Sequence, residues 1–562
     1  MKAAAAKAVA RNWPRDLPRQ LVVPHTTICQ NLDLSAARYP DSPAVHFFGT
    51  DILYAEFRDQ VRRFAGWLVR RANISPGDRV LMQLQNSPQW LIAYYGILRA
   101  GAIVVPVNPM NRASELHHYL NDSGATVAVC AQDLLTQLQE GANGTALSTI
   151  IRATYSDYLL QPHDYVLPEW VTAPRAASDA CVDWADVLSA NEDPGPIAIT
   201  ADDPCGLFYT SGSTGVAKGC LLTHAALMHN IVGQTVWHWT APGTRALGSS
   251  PMFHVSGLNH GVHMPIYVGG ASVVLPRWNG LLAAQLIERQ QIGHATIPPT
   301  ALIDLLGTPG IAEFDLSSLR RLTSGGAAMP ESLAQRIRDV LGVEFIEAYG
   351  LTETSGTTHL NPIHRPKRGS LGITFFSTES VIVDPDTLEP VAAGEPGEIL
   401  VMGPQLFSSY WNRPAETEAA FVEVNGKRFF RTGDIGTMDA DGYYFITDRA
   451  KRMINAAGYK VWPAEVETVL YQHPQVREVC VIGAADAYRG ETVKAVVVRH
   501  AGSTLEQKSL TEWVRSRLAA YKCPTIIEFV EELPKSNIGK ILWKQLQDEE
   551  KARGQVTLAD QD

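Results

Sequence analysis

Short apolar runs alternate with longer helical patterns along most of this chain, and this alternation restricts the fold more than any other feature. Residues 78–86 have the pattern of a strand, residues 87–102 that of a helix begun by a Ser-Pro pair, and residues 102–107 that of the next strand. The alternation returns between residues 271 and 350. Strand, helix and strand at this spacing are typical of parallel sheets covered by helices. We therefore predict an α/β fold.

The length of the chain predicts more than one domain. At 562 residues it is too long for one ordinary hydrophobic core. From residue 372 onward the pattern changes to short strands and turns, which predicts a β-rich subdomain, and the C-terminal part alternates again in a compact α+β pattern. We predict a large N-terminal domain over residues 1–450, with sheets covered by helices, and a small C-terminal domain over residues 451–562.

The charge and cysteine content exclude some partners and settings. The net charge is -10, so a generally basic surface for nucleic acid is not expected. The seven cysteines are scattered without a CxxC pair, which indicates a reduced, cytoplasmic setting. No apolar run approaches the ~18–20 residues of a transmembrane helix. The alanine-rich start lacks the apolar core of a signal peptide, and we interpret it as a frayed leader.

The stretch YTSGSTGVAKG, residues 209–219, has the composition of a loop that wraps phosphate. Glycines permit close backbone approach, and hydroxyls and successive N–H groups donate to anionic oxygens. The spacing differs from GxxxxGK[ST], because Lys218 is followed by Gly219, so a Walker-type kinase or ATPase fits poorly. A plain surface turn is the alternative for the loop in isolation. The candidate phosphate-binding residues are Thr210, Ser211, Gly212, Ser213, Thr214, Gly215 and Lys218.

Six further motifs follow this loop in the order of a known superfamily. They are PMFHVSG (251–257), TSGGAAM (323–329), YGLTET (349–354), FRTGD (430–434), DRAKRMINAAGYKVWPAEVE (448–467) and PKSNIGK (534–540). With the phosphate loop they resemble the adenylate-forming enzymes, namely acyl-CoA synthetases, nonribosomal adenylation domains and luciferases, over residues 25 to 548. The resemblance implies a large N-terminal domain, a small mobile C-terminal domain, and a ligase that uses ATP, Mg²⁺ and coenzyme A.

The resemblance implies a two-step reaction and assigns roles to residues around the phosphates. A carboxylate attacks the α-phosphate of ATP, giving acyl-AMP and pyrophosphate, and a thiol then displaces AMP. Lys540 is similar to the adenylation lysine, which bridges the substrate carboxylate and the phosphate. Glu353 is expected to hold Mg²⁺ with help from Thr210, Thr352 to contact the α-phosphate, and Tyr349 to stack on adenine.

Other motif residues are expected to hold the nucleoside and to connect the two steps. Asp434 resembles the ribose-binding carboxylate, and Arg449 the arginine that reaches ribose or phosphate. Lys451 is expected to be the hinge about which the C-terminal domain rotates after adenylation, and Gly458 to line the thiol tunnel. Gly325, Gly326 and Ala327 are expected to separate the nucleotide from the acyl pocket, with His254 beside the carboxylate.

The acid itself is less constrained by the sequence. The expected lining of the acyl pocket is apolar, with Leu258, Val262, Met264, Ile297, Ala327 and Met329. A partner for an amino acid's ammonium group is not evident near Phe253, which disfavours an amino-acid substrate. A medium- or long-chain fatty acid is the first prediction, and an aryl or cyclic acid the alternative.

Several alternatives to this function remain open. The histidines 254, 260 and 263 suggest zinc, but the missing cysteine or carboxylate partners argue against it. The thiol acceptor could be a carrier protein instead of coenzyme A. A non-catalytic nucleotide-binding scaffold is disfavoured by the presence of Lys540, Glu353, Asp434 and Arg449 together. A homodimer is only a habit of the superfamily.

Overall fold

The structure is a computed structural model that describes residues 12–177, 180–210, 217–325, 331–449, 452–456, 459–486, 490–518, 520–535 and 541–559. The chain divides into two compact units. The first comprises Met1–Ser380, Val401–Phe430 and Asp441–Tyr443, and the second comprises Val381–Leu400, Arg431–Ala440 and Tyr444–Asp562. The predicted domain boundary at residues 450 and 451 stays a prediction.

The helices alternate with strands through most of the chain. They are α1 Ile28–Arg38, α2 Tyr54–Arg70, α3 Pro88–Arg99, α4 Ala113–Ser123, α5 Leu135–Ala142, α6 Glu169–Thr172, α7 Trp184–Ser189, α8 His224–His238, α9 Val255–Leu258, α10 Met264–Tyr267, α11 Gly280–Gln290, α12 Pro299–Gly307, α13 Glu331–Leu341, α14 Pro414–Ala419, α15 Pro463–Tyr471, α16 Gln507–Arg515 and α17 Trp543–Ala559. A π-helical segment, Asn259–His263, joins α9 to α10.

The strands of the first part of the chain are β1 Pro43–Phe47, β2 Thr50–Leu53, β3 Arg79–Gln83, β4 Ile103–Pro106, β5 Val127–Ala131, β6 Thr149–Ala153, β7 Val182–Asp183, β8 Pro204–Thr210, β9 Lys218–Thr223, β10 Arg245–Gly248, β11 Ala271–Val274, β12 His294–Thr296, β13 Arg321–Gly325, β14 Phe345–Leu351, β15 Gly356–Leu360 and β16 Ile373–Thr374. They are followed by β17 Glu379–Val383, β18 Gly397–Met402, β19 Ser409–Tyr410, β20 Phe421–Val424, β21 Lys427–Met438, β22 Tyr444–Arg449, β23 Ile454–Ala456, β24 Tyr459–Val461, β25 Val476–Asp486, β26 Gly490–Arg499 and β27 Ile526–Val530.

Helix α3 illustrates why these segments fold as the sequence predicts. Pro88 occupies the first turn, where a missing N–H has no cost, and the Ser87 hydroxyl accepts a hydrogen bond from the Trp90 backbone N–H at 3.1 Å. The following strand β4 is fully buried, as expected for a parallel strand covered on both faces.

Two large sheets form the first unit. One has nine strands in the order β16-β15-β14-β13-β12-β10-β11-β1-β2, and its central strands from β14 to β1 run parallel. The other has eight strands in the order β19-β9-β8-β4-β3-β5-β6-β7, with β8, β9 and β19 antiparallel at one edge. Both sheets are therefore mixed, where the sequence alone predicted parallel strands. The antiparallel edges carry the two motif-bearing turns of the candidate site.

The C-terminal sheet of the second unit follows the order β24-β23-β26-β25, with β27 parallel to β26. Successive side chains along its strands belong alternately to two apolar clusters. Val479, Val481, Val493 and Val497 share one cluster with residues of α15 and α16, and Cys480, Ile482, Val496 and Val498 pack towards Trp543 and Leu546 of α17. This sheet with helices on both faces is the predicted small α+β module.

A fourth sheet consists of the five strands β17, β18, β20, β21 and β22, in the region where short strands and turns predicted a β-rich subdomain. The predicted fold class, a multidomain α/β chain with a large sheet-containing N-terminal part and a small C-terminal domain, is confirmed.

Candidate active site

The phosphate loop is the tip of a β-hairpin at the edge of the eight-stranded sheet. Strands β8 and β9 pair antiparallel, and Thr210 lies directly opposite Lys218. Ser211, Gly212, Ser213, Thr214 and Gly215 lie outside the described residues. The hairpin brings the predicted metal-side hydroxyl of Thr210 and the predicted phosphate-binding Lys218 to the two ends of one loop.

The Lys218 side chain contacts two residues that are distant in the sequence, Tyr410 and Glu416. Its ammonium group forms an ion pair with Glu416, and it lies 5.1 Å from the centre of the Tyr410 ring. The hydrogen bond from Lys218 lowers the pKa of Glu416 below its usual value. Sequence reasoning did not identify Tyr410 or Glu416, because they are about two hundred residues further along the chain. The predicted contact of Lys218 with phosphate stays a prediction.

The turn that carries Glu353 is held by a very close approach of two strands. Strand β14 ends at Leu351, a 3₁₀ turn spans Thr352–Thr354, and β15 returns antiparallel with a bulge between Tyr349 and Gly350. A Cβ atom on Gly350 would lie 1.9 Å from the carbonyl oxygen of Gly356. Only glycine fits at this position, so this residue of YGLTET is needed for the turn itself.

Four hydrogen bonds from distant residues fix this turn. Asn230 of α8 donates to the Thr354 carbonyl at 3.1 Å, and Asn259 donates to the Ser355 carbonyl at 2.9 Å. The Phe407 backbone N–H donates to the Glu353 carbonyl at 2.8 Å. The Tyr410 hydroxyl donates to Oε1 of Glu353 at 2.9 Å. The same Tyr410 thus contacts both Glu353 and Lys218, and it joins the two motifs.

Burial raises the pKa of Tyr410 above its usual value, and the negative charge of Glu353 raises it further. Tyr410 is therefore a protonated hydrogen-bond donor at neutral pH.

Gly325 and Tyr349 lie at the carboxyl ends of neighbouring parallel strands. Gly325 pairs with Ala348, and a Cβ atom on Gly325 would lie 2.8 Å from the Ala348 carbonyl oxygen. The Tyr349 ring lies 5.6 Å from the His359 ring. Carboxyl ends of parallel strands are where ligands bind in open α/β sheets. Gly326 and Ala327 lie outside the described residues, and the adenine contact of Tyr349 stays a prediction.

His254 immediately precedes α9. The residue is exposed, yet desolvation by the surrounding protein lowers its pKa to about 4. Among the described residues, no charged side chain contributes to this shift. The ring is therefore neutral at pH 7, and it can accept or donate one hydrogen bond.

The other two histidines of this segment have separate partners. His263 contacts the Asn259 side chain at 3.1 Å and the Tyr94 hydroxyl at 3.0 Å. His260 lies 3.3 Å from the Nε2 atom of His294 and stacks on that ring. Burial lowers the pKa of His260 to about 4 and that of His294 to about 3. These histidines are consequently neutral groups of the buried interior, and His294 was not identified from the sequence.

Asp434 lies in the second unit, on strand β21, and is fully buried. Its backbone N–H donates to the Thr432 hydroxyl at 3.1 Å. In the register of β21 and β22, Asp434 pairs with Arg449, so the two predicted nucleoside-binding residues lie directly opposite one another. This pairing was not predicted, since the spacing between the two motifs does not specify a hairpin.

Three predicted residues of the C-terminal part, Lys451, Gly458 and Lys540, lie outside the described residues. Next to this part of the sequence, Lys535 forms a β-bridge with Ile541, and the Leu542 N–H donates to the Pro534 carbonyl at 2.8 Å. The roles of these three residues stay predictions.

The oxygen groups of Glu353 and Thr210 are of the kind that fits Mg²⁺. A carboxylate and a threonine hydroxyl are hard oxygen ligands, and Mg²⁺ typically takes only one or two protein carboxylates together with substrate phosphates. In the described part of the chain, no group of three or more His, Cys, Asp and Glu side chains is gathered for a metal ion. Glu353 and Thr210 would hold Mg²⁺, which when bound neutralises charge on the phosphates.

Comparison with known proteins identifies the family. The model of the AMP-binding enzyme family matches residues 32–411, and that of the AMP-binding enzyme C-terminal domain matches residues 465–540. Both candidate motifs around Lys218 and Glu353 lie within the first match.

The relatives resemble the chain over nearly its full length. A long-chain-fatty-acid–CoA ligase of Bacillus subtilis (strain 168) is 36% identical over 550 residues, which are 96% of this chain and 97% of the relative. A feruloyl-CoA synthase of Amycolatopsis sp. is 36% identical over 506 residues, 90% of this chain and 95% of the relative.

The crystal structure of ATP-bound MatB from Rhodopseudomonas palustris superposes with a TM-score of 0.79 at 26% identity, and covers 93% of this chain and 100% of MatB. Enzymes of this class use ATP, Mg²⁺ and coenzyme A, as the sequence predicted. The chain belongs to the AMP-binding enzyme family, within the adenylate-forming superfamily, and is an AMP-forming acyl-CoA synthetase.

Proposed function

We propose that this acyl-CoA synthetase activates a medium- or long-chain fatty acid as acyl-AMP and transfers the acyl group to coenzyme A. The uncharged surroundings of His254 among the described residues are the observation that carries this proposal. The pKa of His254 is lowered by desolvation, with no charged side chain among the described residues contributing. An acid with an ammonium group or a second carboxylate would need a charged partner there, because an unpaired charge is costly to bury. An uncharged acyl chain needs none.

The apolar side chains beyond His254 support the same class of acid. Leu258, Val262 and Met264 follow His254 along one helical segment, and Ile297 follows strand β12; all four are fully buried. Ala327 and Met329, the other predicted lining residues, lie outside the described residues. The relative from Bacillus subtilis, a long-chain-fatty-acid–CoA ligase by name, also favours a fatty acid.

The residues of the site divide the first step between them. In the proposed mechanism the substrate carboxylate oxygen attacks the α-phosphorus, and the bond from that phosphorus to the bridging oxygen of pyrophosphate breaks. Lys540 offsets the repulsion between the two anions, and Thr352 donates to the α-phosphate. Neutral His254 donates a hydrogen bond to the acid without adding a charge that would hold it in the ground state. The phosphate loop from Thr210 to Lys218 receives the leaving pyrophosphate.

The second step exchanges oxygen for sulfur at the acyl carbon. The thiol sulfur attacks the carbonyl of the acyl-AMP, the carbon–oxygen bond to AMP breaks, and the thiol proton is lost to solvent or a base. Asp434 and Arg449 would retain the ribose and phosphate of AMP during this exchange. In the proposed sequence the C-terminal domain turns about Lys451 between the steps, and Gly458 then lines the path of the thiol.

An aryl or cyclic acid is the second candidate, and one observation favours it. His260 of the π-helical segment stacks on His294 of strand β12, and the two rings provide neutral hydrogen-bonding groups for a ring substituent. The 36% identical feruloyl-CoA synthase is consistent with this alternative. A carrier protein could also replace coenzyme A as the acceptor.

The substrate is tested with purified protein, ATP and Mg²⁺, using saturated fatty acids of graded length and a set of benzoic and cinnamic acids. Pyrophosphate and AMP release are measured with and without coenzyme A. A rate that needs both acid and coenzyme A and peaks at one medium or long chain supports the proposal. A peak among the ring-containing acids supports the alternative.

The variant Lys540→Ala is the matched control for this assay. Losing one aimed donor to a developing charge typically lowers the rate about a hundredfold to a thousandfold, so acid-dependent pyrophosphate release should fall by that factor. Pyrophosphate release in a single turnover, without continued AMP formation when coenzyme A is present, would indicate a carrier-protein acceptor. Acid-independent release that survives Lys540→Ala would contradict the proposed mechanism.

We also propose a cytoplasmic location and a homodimer. None of the seven cysteines forms a disulfide, and six of them are buried, which fits a reducing compartment. Among the described residues, no helix is long and apolar enough to cross a membrane. Cell fractionation tests the location, and light scattering of the purified protein tests the dimer.

A further inference from the structure

The Tyr410 side chain lies against both phosphate-site motifs, at Glu353 and at Lys218. It lies on the two-residue strand β19, opposite Cys220 of β9, so its backbone belongs to the same sheet as the phosphate hairpin. Its hydroxyl donates to Oε1 of Glu353 at 2.9 Å, and its ring lies under the ammonium group of Lys218 at 5.1 Å. Tyr410 is in none of the motifs that predicted the site from the sequence.

The Tyr410 ring itself is held from several sides. The Phe407 ring packs against the Tyr410 ring at 4.8 Å between centroids. The Tyr410 backbone N–H donates to the Thr417 hydroxyl at 3.0 Å. Lys218, which lies over the ring, is itself held by its ion pair with Glu416. A ring fixed by packing, a strand and a hydrogen bond presents its hydroxyl in one direction. The hydroxyl therefore donates to the Glu353 carboxylate from a fixed position.

The position of the Glu353 carboxylate is not determined by its backbone alone. The carboxylate extends from a single 3₁₀ turn, and a glutamate side chain has three rotatable bonds and several staggered rotamers. We propose that Tyr410 is a positioning residue, which holds the Glu353 carboxylate in the rotamer that receives Mg²⁺. This inference rests on the proposed role of Glu353 as the metal-binding carboxylate. Partners that orient a metal ligand typically change metal affinity 10- to 100-fold when removed.

A tyrosine hydroxyl suits this role by its charge. It is a neutral donor, so it orients the carboxylate without cancelling the negative charge that attracts the metal. A carboxylate offers about four lone-pair sites on two oxygens, so a hydrogen bond at Oε1 is compatible with metal binding by the same group. The nearby cation, Lys218, is engaged by Glu416. The hydrogen bond from Tyr410 therefore orients Glu353 without bringing a positive charge to it.

The test removes only the hydroxyl, with Tyr410→Phe. Binding of Mn²⁺, a spectroscopic substitute for Mg²⁺ with the same oxygen preference, is titrated by electron paramagnetic resonance at saturating ATP. ATP binding without metal is measured by calorimetry. We expect the Kd for Mn²⁺ to rise about 10-fold or more, up to about 100-fold, with metal-free ATP binding unchanged. A merely structural loss would weaken both.

Tyr54→Phe is the matched control. The Tyr54 hydroxyl also donates a buried hydrogen bond, to the Gly270 carbonyl at 2.7 Å, but it lies in the packing of α2 against the nine-stranded sheet. Its removal should leave the Kd for Mn²⁺ unchanged. The variant Glu353→Gln and the double variant Tyr410→Phe/Glu353→Gln complete the cycle, and the second substitution should then add no further loss.

The outcomes separate the two proposals. If Glu353→Gln weakens Mn²⁺ binding and Tyr410→Phe does not, the positioning role is overturned while the metal role of Glu353 stands. If Glu353→Gln leaves Mn²⁺ binding unchanged, the metal role fails first. If Tyr410→Phe lowers metal-free ATP binding as much as metal binding, or adds its full effect in the Glu353→Gln background, Tyr410 acts on the fold and not through Glu353.

Discussion

Asn259 donates a hydrogen bond from its side-chain Nδ2 to the backbone carbonyl of Ser355 at 2.9 Å. Asn259 begins the π-helical segment that follows α9, and Ser355 ends the turn that carries Glu353. The Oδ1 atom of Asn259 lies 3.1 Å from His263 Nδ1. One buried amide therefore connects the segment that is proposed to line the acyl pocket with the turn that is proposed to hold the metal. π-helical segments are frequent at functional sites, because the extra residue changes the direction of side chains.

Replacing this amide with an apolar side chain should affect both stability and activity. Asn259→Leu keeps the approximate size but leaves the Ser355 carbonyl buried without its donor. An unsatisfied buried group costs about 1–3 kcal/mol, and we expect the free energy of unfolding to fall by that amount in urea titrations. We also expect the KM values for ATP and for the acid to rise together. Asn143→Leu, at an exposed asparagine, should change neither. A loss confined to the acid's KM would contradict the connection.

Gly350 provides a more severe test of the same turn. A Cβ atom there would lie 1.9 Å from the Gly356 carbonyl oxygen, and a backbone atom cannot rotate away as a side chain can. We expect Gly350→Ala to separate β14 from β15, to reduce the free energy of unfolding by about 3 kcal/mol, and to abolish acid-dependent pyrophosphate release.

The control for Gly350 is Gly307→Ala. No atom lies within 4 Å of a Cβ at Gly307, which is in helix α12, and alanine favours helix over glycine by about 1 kcal/mol. Gly307→Ala should therefore be neutral or slightly stabilising in the same urea titration. Equal effects of the two substitutions would show that the strand contact at Gly350 is not the limiting feature.

Local features of the fold were predictable from the sequence because their causes are local. Ser87 and Pro88 mark the start of α3 through a cap and a fixed φ. The antiparallel pairing of β8 with β9 on either side of the phosphate loop was not predicted. The strand order was not predictable. Strand β10 lies between β11 and β12, although β11 comes next in the chain, and nothing in the local pattern specifies that crossover.

The motif residues of the site were predictable by resemblance, but their supports were not. Glu353 lies in a recognisable hexapeptide, whereas Tyr410 and Asn259, which hold it or its turn, are single residues far from it in the chain. A lone tyrosine or asparagine has no sequence signal that distinguishes it from a surface residue. The pairing of His260 with His294 was missed for the same reason, since 34 residues separate them.

The buried histidines predict a loss of stability in acid. Burial lowers the pKa of His260 to about 4 and those of His263 and His294 to about 3, from an ordinary 6.5. These rings stay neutral in the folded protein, while the unfolded chain binds protons as the pH falls below 6.5. Stability is therefore full above pH 6.5 and declines towards pH 4, by up to about 1.4 kcal/mol per pH unit for each ring.

The variant His294→Gln tests how much of this dependence of stability on pH comes from a single ring. We expect the free energy of unfolding of this variant to fall between pH 6.5 and pH 5 less steeply than that of the wild type, by up to about 1.4 kcal/mol per pH unit. Slopes are compared because the substitution also changes packing at every pH. An unchanged slope would mean that His294 is protonated in the folded state, which contradicts its burial.

We expect the buried lysine beneath helix α17 to link the stability of the C-terminal domain to the first half-reaction. Lys494 on β26 forms ion pairs with Glu528 at 2.7 Å and with Glu550 of α17 at 2.6 Å. Helix α17 begins three residues after Lys540. Removing one member of a buried ion pair leaves the opposite charges uncompensated. We therefore expect Lys494→Met to reduce the free energy of unfolding by about 3 kcal/mol. Hydrogen exchange in residues 543–553 should accelerate.

The same variant should affect the two half-reactions unequally. Because Lys540 is proposed to act only in adenylation, Lys494→Met should slow acyl-AMP formation more than the transfer from added acyl-AMP to coenzyme A. The control is Lys522→Met, which breaks a more exposed pair with Glu465 at 2.6 Å and should cost less than about 1 kcal/mol. If both half-reactions slow equally in Lys494→Met, the helix supports the whole domain and not the lysine segment in particular. If neither changes while hydrogen exchange accelerates, the position of Lys540 is set by the bridge between Lys535 and Ile541 alone.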